Sequence, residues 1–420
     1  MMKNVDDKNR HLGKITAILL TASMIVGTGL FTSLGAATAK AGSGILLALL
    51  IGGVVALLTG LSGAQVGVNY PEEGGAFIWT RRFGFPTISF LSGCAYLFDG
   101  ITGIGILALG FAKYSHEMLS WVSIPAAASI AIIAVAIINF LGIKPTAKVL
   151  ISIFFINVIL LFVYVIFSLA KIHIFNLFPL LGGGIGGVLS GAATFFWTWD
   201  GFQRTAIMAD QIKEPKRTIP FAVIGGISIA AIIYLIIAAT TLGVLGAKTM
   251  GSNDTPVFLN ASLAIGITGG WIILLSAWMT SFSEMLGDLL PTSKVAHAMG
   301  VENELPHWLG AMHKRFHSPY NSLIVLTIIG IALVVFVPIR NIMPLASAFT
   351  IMWYIATHFS ALKLPKEKRF LPYSFTWVGI ATCIGLFIYL PLWSITVAIG
   401  ILGIFALIRS FVLKKHSIFI

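Results

Sequence analysis

Four acidic residues of this chain fall inside long apolar stretches: Asp99, Asp200, Glu284 and Asp288. A charged side chain at the centre of a bilayer costs at least ~2.5 kcal/mol on insertion scales, so such an acid is expected to be paired or put to use. Asp200 stands four residues before Arg204, the spacing of an ion pair one helical turn apart. Glu284 and Asp288 are also four apart and share one face of a helix. Two carboxylates placed so closely share a proton readily, which suits proton coupling; the alternative is that their face lines a wet vestibule. Asp200, Glu284 and Asp288 are therefore the candidate proton-coupling groups.

Two interruptions accompany the acids. In Ser23-Met24-Ile25-Val26-Gly27-Thr28-Gly29-Leu30-Phe31 two glycines sit two apart in mid-stretch. Each lowers helix propensity by about 1 kcal/mol relative to alanine. Unwinding there exposes N–H groups at the start of the following half-helix, where partial positive charge holds a carboxylate. Close helix packing is the competing explanation for small residues. The second interruption is Phe196-Trp197-Thr198-Trp199-Asp200-Gly201-Phe202-Gln203-Arg204. Its freed carbonyls suit an ammonium group. Trp197 and Trp199 are placed to close over a ligand, or else to pack or anchor at an interface.

The elements that carry these residues follow from composition. Of 420 residues, 57 % are hydrophobic and 10 % charged. Soluble domains carry roughly 25 % charged residues, and a membrane helix takes about 20 apolar residues. Candidate spans fall at 15–39, 43–68, 84–112, 119–142, 147–170, 184–209, 218–246, 264–298, 321–338, 341–362, 373–391 and 393–413. Polar or turn-rich joints separate them at Lys40–Gly42, Asn69–Arg82, Gly142–Thr146 and Asp210–Arg217. With the N-terminus in the cytoplasm, alternation puts 21 of the 27 Lys and Arg residues on the cytoplasmic side and 5 on the other, with Arg204 within a span. That bias predicts twelve spans with both termini inside. The fold class expected is thus an all-α membrane protein. It forms one transporter domain over 1–420, with a cytoplasmic tail at 1–14, five helices in 15–170, five more in 184–362 and two additional helices in 373–413. The interruptions open the two five-helix sets, the arrangement of inverted-repeat transporters whose first and sixth helices are broken at the midplane.

Other classes lose support on the same residues. The net charge of +12 comes from short basic tracts between apolar runs and not from a basic face, so a nucleic-acid partner is not expected. The first apolar stretch is too long for a signal peptide. Cys94 and Cys383 read as buried thiols. His307, His313 and His317 fit no zinc spacing, so no metal is expected. Gly182-Gly183-Gly184-Ile185-Gly186-Gly187 formally matches GxGxxG, but no strand precedes it, and no Walker lysine occurs. No cofactor and no catalytic constellation are expected; the chain is not read as an enzyme.

Four stretches resemble the amino acid–polyamine–organocation (APC) superfamily of permeases. They are Ile25–Phe31; Tyr70-Pro71-Glu72-Glu73-Gly74-Gly75-Ala76-Phe77 with Arg82-Phe83-Gly84-Phe85-Pro86; Trp197–Gly201 with Glu214-Pro215-Lys216-Arg217-Thr218-Ile219-Pro220; and Ser293–Pro306 with Ser318-Pro319-Tyr320-Asn321. The resemblance covers about Leu12 to Asn321, and the remainder more loosely. It implies the five-plus-five fold with two extra helices and alternating access. It implies that Ile25, Gly27, Thr28 and Gly29 surround the substrate carboxylate, and that carbonyls near Trp197, Thr198, Asp200 and Gly201 receive the ammonium. It makes Trp197 the aromatic gate, Gln203 a selectivity position and Asp288 a site-lining residue. One departure matters: Asn157 stands in the fifth helix where some proton-coupled members carry lysine, which leaves coupling by an acid or plain exchange. The expected function is secondary transport of an amino acid across the cell membrane, with a polyamine or other organic amine as the alternative substrate. The expected partners are that small molecule, the lipid bilayer and coupling protons.

Overall fold

Uninterrupted apolar runs in a bilayer leave the backbone one inexpensive choice, since every N–H and C=O must be bonded within its own segment. The computed structural model is accordingly helical. It describes residues 12–72, 74–207, 212–252, 257–258, 261, 265–337 and 339–417. The N-terminal tail before Leu12, Glu73, residues 208–211 at the end of the sixth span and its joint, residue 264 at the start of the eighth, and Pro338 lie outside that description. So do the side chains of Thr28, Arg340, Lys414 and Lys415.

The first span is split into α1 (Lys14–Ile25) and α2 (Thr28–Ala41), and α3 (Ile45–Gly67) follows after a turn at Gly42–Gly44. Then come α4 (Ala76–Arg82), α5 (Pro86–Met118), α6 (Ile124–Phe140) and α7 (Ile143–Ser168). The sixth span is split into α8 (Gly184–Phe195) and α9 (Phe202–Ile207), joined by a 3-10 turn at Phe196–Trp199. The chain continues as α10 (Pro215–Met250), α11 (Ile267–Val301), α12 (Tyr320–Phe336), α13 (Ile339–Leu362), α14 (Tyr373–Ile388) and α15 (Leu392–Ser417). Among the described residues, six helical segments are long and apolar enough to cross a bilayer: 29–67, 86–118, 143–171, 215–250, 342–362 and 392–411. The shorter apolar helices α1, α6, α12 and α14 accompany them. Three expectations shift. The joint Asn69–Arg82 contains a helix, α4, the third span runs on to Met118, and all of the joint Gly142–Thr146 except Gly142 belongs to α7.

The packing separates into two groups. In one, α1 lies on α10, α2 on α8, and α3 on both α8 and α10. In the other, α11 lies on α5 and α7, α5 on α13, and α6 and α12 flank α5 and α11. The first and sixth spans run antiparallel. The Gly183 N–H at the start of α8 donates to the Ala41 carbonyl at the end of α2 at 2.9 Å. At the opposite end the Lys213 N–H donates to the Leu12 carbonyl at 2.9 Å, beside the parallel bridge of Leu12 with Ile212. Large apolar side chains such as Ile137, Ile159, Phe162, Ile328 and Phe411 face outward, while the polar groups of the broken spans are buried. That inside-out polarity fits a lipid surround.

Candidate functional site

The two interruptions are real gaps in the helices, and they meet. Ile25 ends α1; Val26 and Gly27 are non-helical, with Gly27 extended at φ −130° and ψ −167°, and α2 starts at Thr28. Gly29 is therefore helical and not part of the unwound stretch. In the first turn of α2 the Leu30 N–H bonds to the Gly27 carbonyl at 3.2 Å, while the N–H groups before it have no acceptor within the helix. In the sixth span the backbone leaves the 3-10 turn with Asp200 extended and Gly201 at φ +127°, a conformation that favours glycine. A Cβ on Gly201 would also stand 2.7 Å from the Met24 carbonyl carbon and 2.9 Å from the Ile25 nitrogen. Glycine here is what lets the two backbones cross in contact.

Three further contacts fasten the crossing. The Tyr234 hydroxyl of α10 donates towards both the Ile25 carbonyl and, at 3.1 Å, the Thr198 carbonyl. Thr21 and Thr205 share a hydrogen bond of 2.7 Å between α1 and α9. The Thr198 side chain fills the space beside Gly29, where a Cβ would lie 2.5 Å from Thr198 Oγ1. That hydroxyl is buried and has no hydrogen-bond partner.

A charge cluster lies beside the crossing. Arg204 Nη2 is 2.6 Å from Asp200 Oδ2 and 3.1 Å from Asp288 Oδ1, with Arg204 only 1 % exposed. The expected Asp200–Arg204 pair therefore forms, and Asp288 of α11 joins it. The Tyr354 hydroxyl donates to the other Asp200 oxygen at 2.7 Å. Asp288 Oδ2, Arg204 Nε and Arg204 Nη1 are buried without a partner. Buried polar atoms are nearly always bonded, so these orphans together with Thr198 Oγ1 suit a polar ligand or water. Asp288 Oδ2 and the Trp197 ring both pack on Gly103 of α5, where a Cβ would meet them at 2.5 and 3.3 Å. Asp99 is a different case. It accepts from Thr350 Oγ1 at 2.7 Å and from Trp353 Nε1 at 3.0 Å, tying α5 to α13.

Glu284 and Asp288 share a helix face and both act electrostatically on Arg204, but their carboxylates lie at different places. A Cβ built on Gly27 would fall onto the Glu284 carboxylate, so that group sits at the first-helix break, while Asp288 turns to Arg204. Both are buried, so neither lines an open vestibule. Gln203 and Trp199 point elsewhere. Gln203 Nε2 donates to the Thr59 carbonyl at 3.3 Å and its amide packs on Gly63, both of α3. Trp199 packs on Gly52 and Gly53 of α3 and edge-on against Tyr234. Ile25, Gly27, Gly29, Trp197, Thr198, Asp200, Gly201, Glu284 and Asp288 are thus gathered around the crossing. Sequence reasoning missed Tyr234, Tyr354 and Gly103. A lone tyrosine in the apolar run of α10 was the available signal for the first.

Two other motif stretches meet at the end of α11. Gly74, at φ +114°, backs onto Ala298. Arg81 pairs with Glu302 and Glu304, each at 2.7 Å, and Arg409 reaches Glu304 at 2.7 Å. Cys94 and Cys383 are buried free thiols, and no cluster of metal-ligating side chains occurs among the described residues.

The comparison that decides the family is a match of the amino acid permease profile to residues 12–415. The chain belongs to the amino acid permease family. Three relatives span from 74 to 95 % of it. The permease is 26 % identical to an uncharacterized transporter of Mycobacterium tuberculosis, over 95 % of this chain and 90 % of that one. It is 25 % identical to the branched-chain amino acid permease BcaP of Bacillus subtilis, over 92 % and 87 % of the two chains. It is 28 % identical to the serine/threonine exchanger SteT of the same organism, over 74 % and 73 %. The permease is thus a membrane transport protein of the APC superfamily, as its motifs suggested.

Proposed function

We propose that this permease moves an amino acid across the cell membrane by alternating access, binding it between the interruptions of its first and sixth spans. The observation that carries the reading is the crossing itself: Tyr234 bonds to carbonyls of both breaks while Gly201 lies on the Met24–Ile25 backbone. The substrate carboxylate is assigned to the start of α2, at Gly27, Thr28 and Gly29 beside Thr198 Oγ1. The ammonium is assigned to the carbonyls of the sixth-span break and to the free oxygen of Asp288. Trp197, buried between the breaks and α5, serves as the gate.

The same reading takes the chain as twelve crossings in a five-plus-five inverted repeat with both termini inside. In its support, α1 lies on α10 much as α8 and α9 lie on α3, and α5 lies on α13 as α11 lies on α7. The antiparallel course of the first and sixth spans agrees with an inversion. Coupling is read as proton-dependent and sodium-independent, through Asp200, Glu284 or Asp288. The amine alternative draws on the excess of buried acids over Arg204. Uptake of a labelled amino acid and amine panel into proteoliposomes, across a pH series with and without sodium, tests all of this. Saturable amino acid uptake that rises with an inward proton gradient is expected. Uptake of amines alone would overturn the substrate class, and sodium stimulation would overturn the coupling.

A further inference from the structure

We infer that Glu284 places its own carboxylate where the substrate carboxylate belongs, so that the two compete and protonation of Glu284 admits the substrate. The inference rests on the amino acid reading above and adds to it a self-occupied state of the site. Its basis is geometric. Glu284 belongs to α11, yet its carboxylate lies against the Cα of Gly27, the residue that caps α2. It is 2 % exposed, so water does not hold it there. A negative charge is favoured at a helix N-terminus, and α2 is a helix of fourteen residues whose N–H groups before Leu30 lack intrahelical acceptors. A second, independent feature marks the same place as a ligand position. Thr198 Oγ1, fully buried and without a partner, points onto Gly29 in the first turn of α2.

Two anions do not share one helix N-terminus in a buried setting, because each raises the cost of the other. A zwitterionic substrate must therefore displace Glu284 or meet it protonated. Once neutral, Glu284 is held less firmly by the helix end, and the N–H groups are open to the substrate carboxylate. Affinity for amino acids should then rise as the pH falls. The other charged and titratable groups of the neighbourhood are Arg204 of α9, Tyr234 of α10, Asp200 of the sixth-span break, Asp288 one turn along α11, and Tyr96 and Asp99 of α5. From α7 the residues in contact with α11 are the uncharged Leu150, beside Gly287, and Asn157, at Ser276. All of these remain when Glu284 alone is replaced, so the difference between wild type and variant isolates its part.

The experiment measures equilibrium binding to the purified full-length protein at pH 5.5 and 7.5. The probes are tritiated leucine, isoleucine, serine and threonine, with isoamylamine and ethanolamine as counterparts that lack the carboxylate. Wild type, Glu284→Gln and Glu284→Ala are compared after their melting curves and monodispersity are checked. Wild type should bind its amino acid more tightly at the lower pH and show no such gain for the matching amine. Both variants should bind the amino acid at pH 7.5 on the order of tenfold more tightly than wild type, a 1.4 kcal/mol effect by the usual relation, and lose the pH response. Folded variants that bind the amino acid no better than wild type would overturn the inference and leave the amino acid reading standing. An amino acid affinity in wild type that is flat with pH overturns it even if neither variant folds. If wild type and variants bind none of the amino acids, both readings fall together. If the amines alone bind and Glu284→Gln loses them, Glu284 is a cation ligand and both readings are replaced.

Discussion

Replacing Arg204 by methionine removes one cation from between two buried carboxylates, and the structure states how the loss should rank. Arg204 Nη2 serves Asp200 at 2.6 Å and Asp288 at 3.1 Å, with all three side chains under 5 % exposed. Breaking a buried ion pair by deleting one partner costs about 3–5 kcal/mol, because the other charge is left uncompensated. Arg204→Met strands two such charges, although Tyr354 still donates to Asp200. Asp288→Asn, in contrast, leaves the Asp200–Arg204 pair whole and removes a carboxylate that already has one orphan oxygen. The melting temperature of Arg204→Met in detergent should therefore fall by on the order of 10 °C, and that of Asp288→Asn by clearly less. Adding Asp200→Asn and Asp288→Asn to Arg204→Met should recover much of the loss, since neutral groups of similar shape need no counter-ion. Thermal unfolding followed by tryptophan fluorescence compares wild type with these three variants. Equal melting of Arg204→Met and Asp288→Asn, or no recovery in the triple variant, would refute the cluster as the source of stability.

Other outcomes follow from the same geometry. Gly29→Val should leave a folded protein with amino acid binding weakened more than about tenfold, because the new side chain collides with Thr198 beside the first turn of α2; isotherms with wild-type affinity would remove the carboxylate assignment. Trp197→Ala should slow turnover more than it weakens equilibrium binding, since closure over the ligand is a conformational step; unchanged rate and affinity in proteoliposomes would make Trp197 a packing residue. Tyr234→Phe should cost about 1 kcal/mol of stability and impair transport, through loss of the hydroxyl that joins the Ile25 and Thr198 carbonyls. Glu304 lies outside the spans. Burial opposes its ionisation, but the hydrogen bonds of Arg409 and Arg81 prevail and hold the carboxyl below the usual glutamate value. A lowered folded value means stability that is present above the ordinary range and lost as the pH falls through the lowered one. The melting gap between wild type and Glu304→Gln should thus be full at neutral pH and close only below about pH 4; a gap that widens on acidification contradicts the pairing.

What the sequence disclosed of this arrangement, and what it withheld, divides along a physical line. The interruptions were legible because Gly27, Asp200 and Gly201 are poor helix formers set in strongly apolar runs, and the structure breaks its helices there. The acids were legible because a charge in such a run stands out. Their partners were not. The spacing of Glu284 and Asp288 places them on one face of a helix, yet small differences in how each side chain leaves that face send one to Gly27 and the other to Arg204. Trp199 and Gln203 show the same gap in information: the residue was visible, but the side of the broken span from which it projects depends on the dihedrals of the 3-10 turn and of Gly201. Tyr234 offered only the signal of a lone tyrosine in an apolar helix, which names no role until the carbonyls it meets are known. Likewise α4 was hidden in a joint whose Pro71, Gly74 and Gly75 read as turn.

The two packing groups make these contacts more than local. Gly27, Asp200 and Arg204 belong to the group formed by α1, α2, α3, α8, α9 and α10, whereas Glu284 and Asp288 belong to α11 in the other. The Arg204–Asp288 pair and the Glu284–Gly27 contact therefore bridge the groups, while Tyr234 and the Thr21–Thr205 bond hold the two breaks together within one of them. Under alternating access, a rotation of one group against the other would carry both breaks as a unit and would have to loosen the two bridging contacts. On the proposed binding mode their strength would depend on charge: a protonated Glu284 would be released from the helix end, and an ammonium beside Asp288 would compete with Arg204 for its carboxylate. Substrate and proton would then act on the same pair of contacts that resist the motion, one through each end of the zwitterion. A differential effect of this kind on two states is what a ligand must supply to shift a conformational equilibrium.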